Sequence, residues 1–256
     1  MLARIWAIAA NGFREVLRDR ILYVIGFFGA LFLFAVTFIP KIALDAEGQI
    51  LPNLGLGAIA LLSTIVAIFV GAGLINKEID KRTVLVLIAK PISRAELIIG
   101  KHLGLFGVLL ILVFILSVLC FGLLSAFGVD YPLGSFALAQ VYLCLELLLL
   151  IAAALAFGAF TSSILATLLS FGVFLMGHVS QDLLELGKIS QNPGIERLTR
   201  GLYLVLPDLS RLNLRNDAVY NLLPSGGELI SSALYALVYT IMLLGIAIFI
   251  FSQREF

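Results

Sequence analysis

The chain has 256 residues, of which 61% are hydrophobic and only 13% charged, far from the roughly half-apolar, quarter-charged balance of a soluble domain. Its formal net charge of +1 provides no chain-wide basic field, so nucleic-acid binding is not expected and the position of charges carries the information. Water is not the solvent for most of this sequence.

Ahead of the first long apolar run, Leu2, Ile5, Trp6, Ala9, Phe13, Val16 and Leu17 recur at spacings of three and four, with Arg4, Arg14 and Arg18 largely off that stripe. This pattern predicts an amphipathic interfacial helix over residues 1–20, with Trp6 at the headgroup level. No small-residue cleavage site follows a short apolar core, so the first span is expected to insert the chain itself.

A spanning helix needs about 20 apolar residues. Ile21 to Ile39, Leu54 to Ile75 and Leu103 to Val129 contain no charge and predict three spans. Leu133 to Val179 is about twice a span, with Glu146 as its only full charge and the polar group Thr161, Ser162, Ser163 near its middle. It predicts two helices joined by a tight hairpin. Leu229 to Phe251 closes the count at six, which puts both termini on one side.

Basic residues resist translocation and so report orientation. They collect in the N-terminal segment, in the loop from Asn76 to Lys101 and at Arg254, all on one face. Both termini are therefore expected in the cytoplasm. The long loop over 180–228 then lies outside, its basic residues accompanied by acids. Within it, Asn192 and Pro193 read as an N-cap and first helical position, and Ile195, Leu198, Leu202 and Leu206 keep helical spacing up to Pro207.

The loop between spans two and three, over 76–101, is the most informative. Thr83 to Ala89 is a short apolar run between charges, and Pro91 disfavours helix at Lys90. Ser93 and Glu96 then spell a capping box, which predicts that the third helix starts near Arg94. Two readings of the run stand: a surface for a partner, or a segment folded back on the bilayer or on the N-terminal helix.

Glu146 is the candidate for chemistry inside the membrane, because an ionisable group there costs at least about 2.5 kcal/mol on insertion scales. It is expected to face the bundle interior, either as a substrate or gating contact or as a protonated carboxyl bonded to a neighbour such as Ser117 or Tyr142. His178 reads as a boundary histidine, and Cys120 and Cys144 as packing thiols. Gly100 and Gly104, four apart, read as helix-packing positions.

The pattern K-E-x-x-K-R-T-x-x-x-L-x-x-K-P-x-S-R-x-E-x-x-x-G-K over Lys77 to Lys101 resembles the signature of ABC-2 type permeases, the membrane subunits of one group of ATP-binding-cassette transporters, and in particular their bacterial six-span group. The N-terminal segment with Phe13, Arg14, Glu15, Arg18, Asp19 and Arg20 is similar to that family's elbow helix. Leu206 to Leu209 with Asn213, and the tail Arg254, Glu255, Phe256, fit it as well.

The resemblance implies an all-α membrane protein with six transmembrane helices, forming one permease domain over 1–256 in a bacterial plasma (inner) membrane. Glu78 to Pro91 would be a coupling helix seated in a separate ABC ATPase subunit. Thr83, Leu85 and Leu87 would supply its apolar seat, Glu78, Lys81 and Arg82 its charged rim, and Pro91 with Arg94 the joint into the third span. A second permease copy or paralogue, and membrane lipid, complete the implied partners.

ATP and Mg would belong to the ATPase, since no G-x-x-x-x-G-K-[ST] string occurs here. No catalytic residue and no metal site is expected in this chain. The cysteines, methionines and histidines lack the clustering that a soft-metal path favours. Export is the implied direction. The rival readings are an ATPase-linked subunit that transmits force without moving cargo, a secondary transporter, and an intramembrane enzyme built on Ser162, Ser163, Glu146 and His178.

Overall fold

A computed structural model describes residues 2–18, 21–39, 47–80, 93–190 and 192–253, and no strand occurs among them. The helices are α1 (Leu2–Arg18), α2 (Ile21–Phe38), α3 (Glu47–Asp80), α4 (Arg94–Ala126), α5 (Leu133–Gly158), α6 (Ser163–His178), α7 (Ser180–Ile189), α8 (Pro193–Val205), α9 (Arg215–Val219) and α10 (Gly226–Gln253), with a 3-10 turn at Ser210–Leu212 before α9.

Among the described residues four helices are long and apolar enough to cross a membrane: the Gln49–Asn76 part of α3, then α4, α5 and α10. The pair α6 and α7, bent by 60° at Val179, makes a fifth if counted as one span, and Ile25–Phe38 of α2 is a shorter apolar helix. The expected hairpin is present. Thr161 donates to the carbonyl of Phe157, and Ser162 caps α6 by accepting from the amide of Leu165. The capping box is present too: the Glu96 amide donates to Ser93 Oγ, and the Ser93 amide to Glu96 Oε2.

α5 is the central helix. It packs against α3, α4, α6 and α10, and Leu147, Leu149, Leu150, Ile151, Ala152 and Leu155 are fully buried, as expected of a helix that is apolar all round. Small residues allow the close approach to α3. A Cβ at Gly71 would lie 3.1 Å from that of Ala154, and one at Gly158 would lie 3.1 Å from the carbonyl oxygen of Ala72. Such seams replace the hydrophobic drive that lipid does not supply. α10 shows the opposite pattern: Ala236, Thr240, Ala247 and Phe251 face the bundle, while Ile230, Val238, Ile241 and Phe249 point outward.

The N-terminal helix lies on the start of α4 and buries Ile5, Ala9 and Val16, while Trp6 stays exposed. Gly100 and Gly104 form the floor of this contact, so their spacing serves the docking of α1 within the chain. Lys101, itself buried, pairs with Glu15 at 3.5 Å. A methyl at Gly104 would sit 2.7 Å from the carbonyl oxygen of Ala9, and backbone cannot step aside cheaply. Gly104→Ala is therefore expected to lift α1 and cost about 1–3 kcal/mol. Thermal unfolding in detergent and protease cleavage within α1 report it, and an unchanged midpoint with α1 still protected would refute this packing.

Candidate functional site

Glu146 stands near the middle of α5 and is 4% exposed. The hairpin at 159–162 turns α6 back along α5, which brings His178 to the same depth. His178 Nε2 lies 3.5 Å from Glu146 Oε1. The other ring nitrogen, Nδ1, is 3.1 Å from the carbonyl oxygen of Phe174, which only accepts, so Nδ1 carries a proton and Nε2 is turned to the carboxyl group. No hydrogen bond reaches Nε2 from the described residues. Two facing atoms, a carboxylate oxygen and an imidazole nitrogen, are thus left to share one proton or to receive a ligand group.

His178, expected as a boundary histidine, is the last residue of α6, and the hairpin also makes it the facing group of Glu146. The suggested partners of Glu146 are corrected here. Tyr142 donates to the carbonyl of Leu229 at 2.6 Å, and Ser117 Oγ has no partner among the described residues.

The chain between α8 and α10 closes this end of the bundle. Leu209, Leu212, Leu214 and Ala218 enter the common core, and Arg215 is near enough for its charge to act on both Glu146 and His178. Arg215 is aimed by its own loop, since its Nε donates to Asn213 Oδ1 at 2.7 Å.

Asp208 holds this closure in place. Its carboxylate accepts from Ser180 Oγ at 3.0 Å, Gln181 Nε2 at 3.1 Å, Ser210 Oγ at 2.5 Å and Arg211 Nε at 2.9 Å. Its amide donates to Tyr235 Oη on α10 at 2.8 Å. Burial pushes the carboxyl up, but the hydrogen bonds from Ser210, Arg211, Gln181 and Ser180 outweigh it and hold Asp208 below its ordinary value. The bond to Asp208, and then the one to Tyr203, raise Arg211. Gly177 lets the loop approach the end of α6: the Leu209 amide donates to its carbonyl at 3.0 Å, and a Cβ there would meet Leu209 at 2.7 Å. No local pattern in the sequence marks this hub beyond the resemblance of Leu206 to Leu209.

Of the coupling residues, Glu78 falls in the last turn of α3, and Lys81, Arg82, Thr83, Leu85, Leu87 and Pro91 lie outside the described residues. Arg94 opens α4 and reaches the end of α10, donating to the carbonyls of Phe251 at 2.8 Å and Ser252 at 2.6 Å. A cation at the C-terminus of a helix satisfies carbonyls that have no partner within the helix and complements the helix dipole. This contact sets the end of the last long helix beside the start of α4, at the same end of the bundle as α1. Among the described residues no group of three or more His, Cys, Asp or Glu is placed to hold a metal ion.

Apolar helices around a sparse, buried polar centre, closed at one end by a folded loop, define a multi-pass membrane protein. The family profile described as ABC-2 family transporter protein matches residues 6–256, and the chain belongs to that family. No curated protein matches it significantly.

Proposed function

We propose that the chain is the permease subunit of an ABC exporter that crosses a bacterial inner membrane six times, with both termini in the cytoplasm and α1 as its elbow helix. Two copies, or one copy and a paralogue, would pair in the membrane with two ATPase subunits, which hold the ATP and Mg. The chain itself would catalyse no reaction. The observation that carries this reading is the family match over nearly the whole chain.

The local structure supports a coupling role for 78–91. α3 runs without a break to Asp80, so Glu78 rides on its end, and the capped restart at Ser93 hands the chain on to α4. The segment between therefore joins the ends of two long helices. The apolar Leu85 and Leu87 with Thr83 would seat in the ATPase, Lys81, Arg82 and Glu78 would ring that seat, and Pro91 with Arg94 would stiffen the exit. Glu146 with His178 would be the substrate or gating contact that the two states expose differently.

The chain is purified from its host in mild detergent and its stoichiometric companions are identified. An ATP-binding-cassette subunit is expected at about one to one, and Lys81→Glu with Arg82→Glu is expected to remove at least nine-tenths of it. Repeated recovery without an ATPase sinks the reading, while recovery that ignores the double reversal sinks the assignment of the charged rim.

A further inference from the structure

Between α4 and α5, both long and apolar enough to cross a membrane, the wall is hollowed into a groove of about 360 Å³, lined by Phe114, Val118, Val141 and Cys144, with Ser117 and Gln140 on its floor. Ser117 is 7% exposed and Gln140 9%, and neither Ser117 Oγ nor Gln140 Oε1 has a hydrogen-bond partner among the described residues. This is unusual within the molecule. Several hydroxyls on the apolar helices donate to the carbonyl one turn earlier, Thr37 to Leu33, Thr167 to Ser163, Ser170 to Ala166 and Thr240 to Ala236, and others bond side chains, as Ser135 does to Asn221. Ser63 Oγ and Ser117 Oγ are buried without any partner among the described residues, and of these two Ser117 lines the groove.

A buried polar atom without a partner costs free energy that hydrocarbon cannot refund, so both atoms call for a group arriving from the lipid phase. Gln140 Oε1 only accepts, and Ser117 Oγ can donate. A hydroxyl offers what each atom lacks, a proton for Gln140 and an acceptor for Ser117. A carboxylate does not, because it has no proton for Gln140.

The rest of the lining is apolar and suits an alkyl body, and the volume falls in the ordinary range for small-molecule sites. Three turns of a helix, about 16 Å long and 10 Å across, fill more than about 1,000 Å³, so a neighbouring helix does not enter. We propose that the α4–α5 groove binds a neutral bilayer amphiphile, one hydroxyl on a long alkyl chain, with Gln140 and Ser117 reading the hydroxyl.

The test uses the full chain in phosphatidylcholine nanodiscs and a hexadecanol probe bearing a diazirine in its chain, with the methyl ether of the same probe as control. Adducts from the alcohol are expected on residues 110–121 and 137–144, with the ether labelling about tenfold less. Gln140→Leu combined with Ser117→Ala should bring the alcohol down to the level of the ether. Phe114→Trp keeps both polar atoms but fills the groove, and should depress both probes, so the outcome does not hang on one variant folding.

Equal labelling by alcohol and ether overturns the proposal, as does labelling spread evenly over the outward faces. Efficient crosslinking of Phe114→Cys to a second copy, with loss of the adducts, assigns the groove to a copy of this chain and overturns it too.

Discussion

Glu146→Gln is expected to leave the protein inserted, folded and at least as stable as the parent, while permease-dependent ATP hydrolysis in proteoliposomes falls at least tenfold. Glutamine keeps the shape of the side chain and removes the ability to ionise. A buried carboxylate costs desolvation that its neighbours repay only in part, so removing the charge does not weaken the fold. On the proposed reading, what is lost is a group that exchanges a proton with His178 or meets a polar part of the cargo.

His178→Gln is expected to do the same, and the double variant no more than either alone, because each removes the same interaction. Nearly additive losses would show that the two side chains act separately. Full turnover in Glu146→Gln would remove any charge-dependent role for this centre.

Asp208→Ala is expected to act on the fold itself. Alanine deletes four hydrogen bonds at once and leaves Ser180, Gln181, Ser210 and Arg211 without their common acceptor. Charged hydrogen bonds contribute about 1.5–3 kcal/mol each and do not add fully, and Arg211 is partly exposed and recovers some hydration, so a loss of about 3 kcal/mol is expected. Heating in detergent followed by size exclusion would show a lower midpoint, with proteolysis appearing between α8 and α10.

The same group sets an acid limit. Its folded value lies below the ordinary 3.8, so its contribution is complete above that value and is lost as pH falls through the lowered one. Asp208→Asn, which keeps the shape, should flatten this acid limb. An acid limb identical to the parent's would assign the limb to other carboxylates.

Charge-free runs made most spans legible because hydrocarbon tolerates little else, and the boundaries were less clear. α3 begins at Glu47, ahead of Leu54, since Gln49, Pro52 and Asn53 continue the helix beyond the apolar stretch. α6 holds only 16 residues before the bend at Val179, which an apolar count does not see. The S-x-x-E spelling marks the start of α4 at Ser93, and the same spelling recurs at Ser225, where Ser225 and Glu228 bond across the start of α10 in the same way.

The candidate site was half legible. Glu146 stands out as a lone carboxyl in an apolar run, but its partner lies on the next helix. Counting outward from the hairpin would have found it, since both residues sit about four turns from 159–162. The Asp208 hub was beyond reach because its members come from α7, the loop and α10, and no local pattern marks a carboxylate that will be buried.

α3 spans 34 residues, so at about 1.5 Å per residue it is a rod about 50 Å long. About three turns in from Glu47, Gly57 lies against the Arg215 side chain of the closing loop, and the C-terminal end carries Glu78 to the edge of the proposed ATPase contact. Under the proposed coupling role such a rod would act as a lever. A tilt applied at the Asp80 end appears at the far end with its sign reversed about wherever the seam of Gly71 with Ala154 holds it. On the proposed coupling role, the position of that fulcrum, more than any chain of side chains, would set how far the roof over Glu146 moves for a given stroke below.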